Sequence, residues 1–263
     1  MHRSVRFHIT GAMMRLLLVN PNMSTAMTET MATIARDLVG PEHEIIARTA
    51  DRGFPYIASR AEAQIAGAIV LETIADNLPG IDAVIVAAFG DPGLRAAREL
   101  FDLPVIGMAE AALMSAAMLG ERFSVVTFSP VMRRWYLDCV RDSGLMERCT
   151  GVRTPEGHPR DVAEVRSTLR AELAALARDA AERDDADVVI LGGAPLAGLA
   201  KEIAADVPAV VIDPITAAVA QAMAMVRIAP KPSFGLRCCK PLAKSSVGLS
   251  EALADVVRHE ARY

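Results

Sequence analysis

Three short motifs recur once each, in the same order, about half a chain apart. LLLVNPNMS returns as SVVTFSPVM, AVIVAAFGDPG as DVVILGGAPLAG, and LPVIGMAEAA as VPAVVIDPITAA. Asn22 and Pro130, Ala88 and Gly193, and Pro104 and Pro208 stand 108, 105 and 104 residues apart. Any two apolar strands look alike, but three pairs in order at one period indicate a duplication. The repeat therefore predicts an α/β fold of two pseudo-symmetric halves, each a mainly parallel sheet flanked by helices, with a cleft between them. The first half is expected over 14–107 joined by a C-terminal segment of about 214–263, and the second over 108–213. Residues 1–13 precede them as an extension.

The strand candidates RLLLVN, HEIIAR, DAVIVAAF, LPVIGM, RFSVVTF, ADVVILGG and PAVVID are apolar almost throughout, as strands covered on both faces must be. Amphipathic, alanine-rich stretches alternate with them, and a strand–helix alternation builds a parallel sheet. Helices are expected over 25–38, 60–77, 92–101, 110–118, 131–143, 161–183, 215–225 and 250–260. The 161–183 segment is read as the longest, capped by Asp161. The stretch from Ile228 to the last helix is rich in Pro, Gly and Ser and reads as an irregular tail, free to wrap the cleft or a neighbouring subunit.

A formal net charge of -4 and a pI near 5.8, without a basic run, lack the electrostatic footprint of a nucleic-acid or anionic-membrane binder. The apolar runs are too short or too glycine-broken to span a bilayer. A cytoplasmic, self-associating protein with a small-molecule partner is expected. Cys139, Cys149, Cys238 and Cys239 show no metal-ligand spacing, so they are read as ordinary reduced thiols. His2, His8, His43, His158 and His259 are scattered through polar stretches, and neither a metal nor a cofactor is expected.

In parallel sheets ligands gather beyond the carboxyl ends of strands, and the unusual short sequences of this chain lie at such ends. Asn20, Asn22 and Ser24 in VNPNMST offer amides and a helix start to a carboxylate or cyclic imide, or else merely cap the backbone. Asp91 in GDPG reads first as the cap of a helix beginning at Pro92 and second as an acid or base. Glu110 and Ser129 complete the polar candidates, Ser129 without a visible histidine partner. The remaining candidate walls are Ala88, Phe89 and Gly90 on one side and Gly192, Gly193 and Ala194 on the other. No phosphate loop with its lysine, dinucleotide fingerprint, HExxH or GxSxG occurs.

From Met14 to about Ser250 the order LLLVNPNMS, AAFGDPGL, PVIGMAEAA, RFSVVTFSP, LGGAPLAGLA, DPITAA and GLS resembles the aspartate/glutamate/hydantoin racemase superfamily, particularly its hydantoin and allantoin racemase branch. The resemblance implies a cofactor-independent isomerase with its site between two pseudo-symmetric halves. It also implies two opposed cysteines that take a proton from one face of the substrate carbon and return one to the other. Those positions are Ala88 and Gly193 in this chain, and neither side chain transfers a proton. The expected function is that of a hydantoin racemase-like protein acting on a small amino-acid-derived or cyclic imide substrate without the cysteine pair. The alternatives are a hydrolase or decarboxylase on the same scaffold, or a non-catalytic small-molecule binder. Restoring both thiols by Ala88→Cys with Gly193→Cys is expected to bring racemisation back.

Overall fold

The computed structural model describes residues 13–157, 161–162, 164–229, 234, 237 and 240–261. Residues 1–12, with His2 and His8, together with His158, Cys238 and Cys239, lie outside the described residues. The first sheet is made of β1 (Arg15–Asn20), β2 (Glu44–Thr49), β3 (Ala83–Val86) and β4 (Val105–Gly107), interleaved with α1 (Thr25–Val39), α2 (Arg60–Asp76) and α3 (Leu94–Leu100). After α4 (Met108–Leu119) the second sheet follows: β5 (Phe123–Val126), β6 (Cys149–Arg153), β7 (Val188–Leu191) and β8 (Val210–Ile212). Its helices are α5 (Arg133–Asp142), α6 (Val165–Thr168), α7 (Arg170–Arg183) and α8 (Leu199–Ile203). The chain ends with α9 (Pro214–Ile228) and α10 (Glu251–Arg258).

Every strand pair is parallel, and the two sheets have one topology: β2-β1-β3-β4 and β6-β5-β7-β8. Leu16, Leu17 and Leu18 of β1 are wholly buried, as are all four residues of β3 and of β7 apart from negligible exposure. Each such leucine contributes about 1.5–3 kcal/mol by leaving water. The helices that follow the last strand of each sheet are exchanged. α4 packs on β7 and β8 of the second sheet, α9 packs on β3 and β4 of the first, and the two helices lie against each other. Their contact is lined with small side chains, Ala109, Ala112 and Ala116 facing a helix that buries Ala217, Ala218 and Ala222. Gln221 on α9 donates to Ala111 O and Ser115 Oγ of α4.

The duplication extends to the loops. α3 and α8 both start from a glycine in the left-handed region, Gly93 at φ 77° and Gly198 at φ 85°. In each half one carboxylate ties that loop to the next helix start, but it is supplied from opposite ends. Asp91, ahead of α3, accepts from Ala109 N and Glu110 N of α4, both at 2.8 Å. Asp213, the N-cap of α9, accepts from Ile215 N and reaches back to Gly198 N. Gly107 leaves the room that Asp91 needs, since a Cβ there would fall 2.3 Å from its carboxylate oxygen.

Several expectations need correction. Asp91 does not cap a helix at Pro92: α3 begins two residues later, behind Gly93, and the carboxylate serves α4. The 161–183 segment is not one helix, because the chain turns at Leu169 between α6 and α7, and Asp161 caps neither. β6 was unforeseen. Its sequence, CTGVR, is polar, it occupies a sheet edge, and its register with β5 shifts next to Phe123, so it carries no apolar run. Where described, the tail runs along α3 instead of the cleft: Arg237 donates to Phe101 O and pairs with Asp102, which also binds Lys240, and α10 packs on α2.

Candidate active site

The carboxyl ends of β3 and β7 face each other across a small pocket of about 20 Å³. Ala88 and Phe89 form one wall; Gly193, Ala194 and Pro195 form the other; Asn22, Tyr56, Ile57, Trp135 and Tyr136 complete it. Among the described residues no charged side chain lines it. The pseudo-equivalent positions Ala88 and Gly193 thus meet at one site, together with Phe89, Ala194 and Asn22.

The Asn20–Ser24 turn divides its polar groups between scaffold and pocket. Asn20 is consumed: its Oδ1 accepts from Asn22 N, and its Nδ2 serves Asn22 Oδ1, Ser24 O and Thr28 Oγ1. Ser24 is the N-cap of α1, its Oγ accepting from Met27 N. Asn22 Oδ1 takes bonds from Asn20 Nδ2 at 3.0 Å and Ser24 N at 2.9 Å, which fixes the amide's orientation. Among the described residues its Nδ2 then meets only Met27 Sδ at 3.7 Å, a weak acceptor, so a side chain just 3% exposed keeps donor capacity at the pocket. The backbone N–H groups of Ala88, Phe89, Gly193 and Ala194 donate to no acceptor among the described residues.

Asp91, Glu110 and Gly90 do not reach this pocket. They line a separate, more open hollow of about 480 Å³ with Cys139 and Asp142. Its charges are matched within the fold: Glu110 is held by both guanidinium nitrogens of Arg98, and Asp142 pairs with Arg95 at 3.4 Å. Burial pushes the Asp91 carboxyl up to about 7, against the two N–H groups that favour its charge. Ser129 is buried at the turn into α5, and Gly192 sits behind Gly193 against Tyr136, Val125 and Phe89. Burial raises the Cys139 thiol far above its usual range, helped by the charge of Asp91, and Cys149 is raised too. Both shifts disfavour the thiolate. Among the described residues no group of three His, Cys, Asp or Glu side chains could hold a metal ion.

Reading the strand ends alone missed the aromatic half of the site. The chain has one Trp and three Tyr, and Trp135, Tyr136 and Tyr56 all line this pocket. Phe89 and Tyr136 stack at 4.5 Å between centroids, Trp135 and Tyr136 at 5.8 Å, and Tyr56 and Phe128 at 5.8 Å. Trp135 and Tyr136 enter on α5, and Tyr56 on the loop between β2 and α2, whose far end is tied to the second half by Arg60 through Asp138 and Arg134 O. The signal available was rarity: FSPVMRRWY carries the single Trp and a Tyr just past the β5 strand end. A Cβ on Gly193 would stand 2.7 Å from Phe128 Cε1 and 3.4 Å from Tyr136 Oη, and on Gly90 it would fall 2.1 Å from Trp135. The rings have taken the space that side chains at those positions would fill.

Residues 16–222 match the profile of a family described as Asp/Glu/Hydantoin racemase. A hydantoin racemase from Paenarthrobacter aurescens is 32% identical over 235 residues, spanning 88% of this chain and 99% of that one. Among solved structures, an allantoin racemase from Klebsiella pneumoniae superposes with a TM-score of 0.83 at 33% identity, covering 91% of this chain and 98% of that one. An allantoin racemase from Pseudomonas fluorescens gives 0.81 at 30% identity, covering 89% and 100%. Among the described residues no helix is long and apolar enough to cross a membrane.

Proposed function

The chain belongs to the Asp/Glu/hydantoin racemase family, and from that membership we propose that its strand-end cleft receives a neutral cyclic imide or ureide ring of the hydantoin type and does not use the two-thiol proton relay. The observation that carries this reading is the composition of the pocket lining: aromatic faces, one amide donor and backbone N–H groups, with no charged side chain among the described residues. A free amino acid brings an ammonium and a carboxylate, and burying them without partners is far costlier than burying a neutral ring whose carbonyls meet N–H donors. Asn22 Nδ2 and the N–H groups of Ala88, Phe89, Gly193 and Ala194 suit ring carbonyl oxygens. The flat faces of Tyr56, Trp135 and Tyr136 suit the ring and an apolar substituent on it. With Ala88 and Gly193 at the positions where the resemblance puts cysteines, inversion by opposed thiols has no carrier.

About 20 Å³ holds no ring, so binding requires the walls to part. Exposed Met114, Met118 and Leu119 at the end of α4 support the self-association expected from the sequence. Titration calorimetry with 5-substituted hydantoins, allantoin, aspartate and glutamate tests the reading. The neutral rings are expected to bind and the two amino acids are not; the reverse order refutes it. Asn22→Asp keeps the acceptor oxygen that the turn requires and removes the donor, and is expected to weaken ring binding about tenfold, the worth of one hydrogen bond.

A further inference from the structure

The Tyr136 ring lies between Phe89, at 4.5 Å, and the backbone of Gly192, where a Cβ would come within 3.0 Å of its edge. The side chain is 2% exposed and lines the pocket, and its Oη stands 3.4 Å from the point a Cβ on Gly193 would occupy. An O–H group therefore lies within contact distance of the position at which the resemblance puts one of two proton-carrying thiols. Its partners inside the fold are poor. The Thr127 hydroxyl lies near enough to favour the phenolate, yet it is buried without a hydrogen-bond partner among the described residues. The other phenol of the pocket, Tyr56, donates to Met132 Sδ at 3.7 Å. Across the pocket, neither Ala88 nor Phe89 carries an exchangeable side-chain proton.

We propose that Tyr136 is the proton carrier of this cleft, acting from the Gly193 side alone, so that the chain exchanges the acidic ring-carbon proton of a bound hydantoin with water while keeping the configuration of that carbon. The proposal rests on the ring-binding reading above. In the forward step the phenolate oxygen takes the proton, the C–H bond breaks and its electron pair moves onto the adjacent carbonyl oxygen, which the backbone N–H groups and Asn22 stabilise as an enolate. The new O–H exchanges its hydrogen with water. The reverse step returns a proton to the same face, because Ala88 offers none on the other. Burial holds the phenol well above its ordinary range, so the active phenolate is scarce near neutrality and the catalysed rate rises with pH.

The test uses one enantiomer of 5-benzylhydantoin in deuterated water, with deuteration at C5 followed by NMR, optical rotation read on the same sample, and enzyme-free rates subtracted. Wild type is expected to deuterate the carbon faster than rotation is lost. Tyr136→Phe is expected to bind the ring and lose about a hundredfold of the exchange. Fluorotyrosine at position 136, a more acidic phenol, should move the pH profile of exchange downward, a shift that a packing role would not produce. Rotation lost in step with deuteration, undiminished exchange in Tyr136→Phe, an unmoved pH profile, or ring binding without exchange each overturns the proposal. Failure of calorimetry to detect the ring overturns the binding reading, and this proposal with it.

Discussion

Gly193 has φ 127°, a conformation that costs any other residue about 1–3 kcal/mol. Its missing Cβ is also what lets Phe128 and Tyr136 close on the loop. The two constraints reinforce each other and alter the expectation that thiols at 88 and 193 would restore a two-faced site: a cysteine at 193 meets the Phe128 ring before it meets a substrate. Gly193→Ala is expected to lower unfolding free energy by about 1–3 kcal/mol in urea titrations. Phe128→Leu should recover part of that loss in the double variant, because the two residues share the contested space. Strict additivity of the two single effects would show that the strain lies in the backbone alone. The contrast between Asn20 and Asn22 is equally local. They are two residues apart and alike in composition, yet one is saturated by the turn it builds and the other retains a donor.

At the scale of elements, the start of α4 is organised by a carboxylate from a loop 18 residues earlier in the chain. Capping favours the charged form of Asp91, but withdrawal from water outweighs it, and the group is pushed from 3.8 up to about 7. The folded state therefore binds this proton more tightly than the unfolded chain does. Stability from this group is fully present below pH 3.8 and is lost as pH rises through about 7. Asp91→Asn cannot titrate, so its unfolding free energy should fall less steeply than that of wild type between pH 5 and pH 8, whatever its absolute value. Parallel slopes in urea titrations across that window would show that Asp91 titrates alike in both states. Asp213, which plays the corresponding part in the second half, is raised by the same cause, and its partners Gly198 N and Ile215 N likewise join a loop to a helix start.

For the whole molecule, the exchange of α4 and α9 between the sheets makes neither sheet complete without the other half of the chain. A single cooperative unfolding transition follows, in which Trp135 fluorescence, reporting the second half, coincides with far-UV dichroism. Leu113→Ala on α4 removes a wholly buried side chain from the core the halves share and should shift both probes together by about 2–5 kcal/mol. Separated transitions would mean that the halves fold independently. Much of this architecture was legible in the residues. The strands are short apolar runs with no polar face, the helices are amphipathic, and the duplication is written in three motifs, so the α/β class and the strand-end location of the cleft follow from local pattern and period. The polar edge strand β6 and the break at Leu169 were not legible, since both depend on neighbours more than on local preference. The aromatic lining was hidden for a related reason: Tyr56, Phe89, Phe128, Trp135 and Tyr136 come from three separate stretches, and nothing in any one stretch says that their rings converge. By itself the sequence determined that two similar halves would face each other and that Ala88 and Gly193 would be paired. Only the tertiary structure decided what fills the space between them, because a ring's position depends on the packing of every element around it, whereas strand, turn and repeat depend on neighbours along the chain.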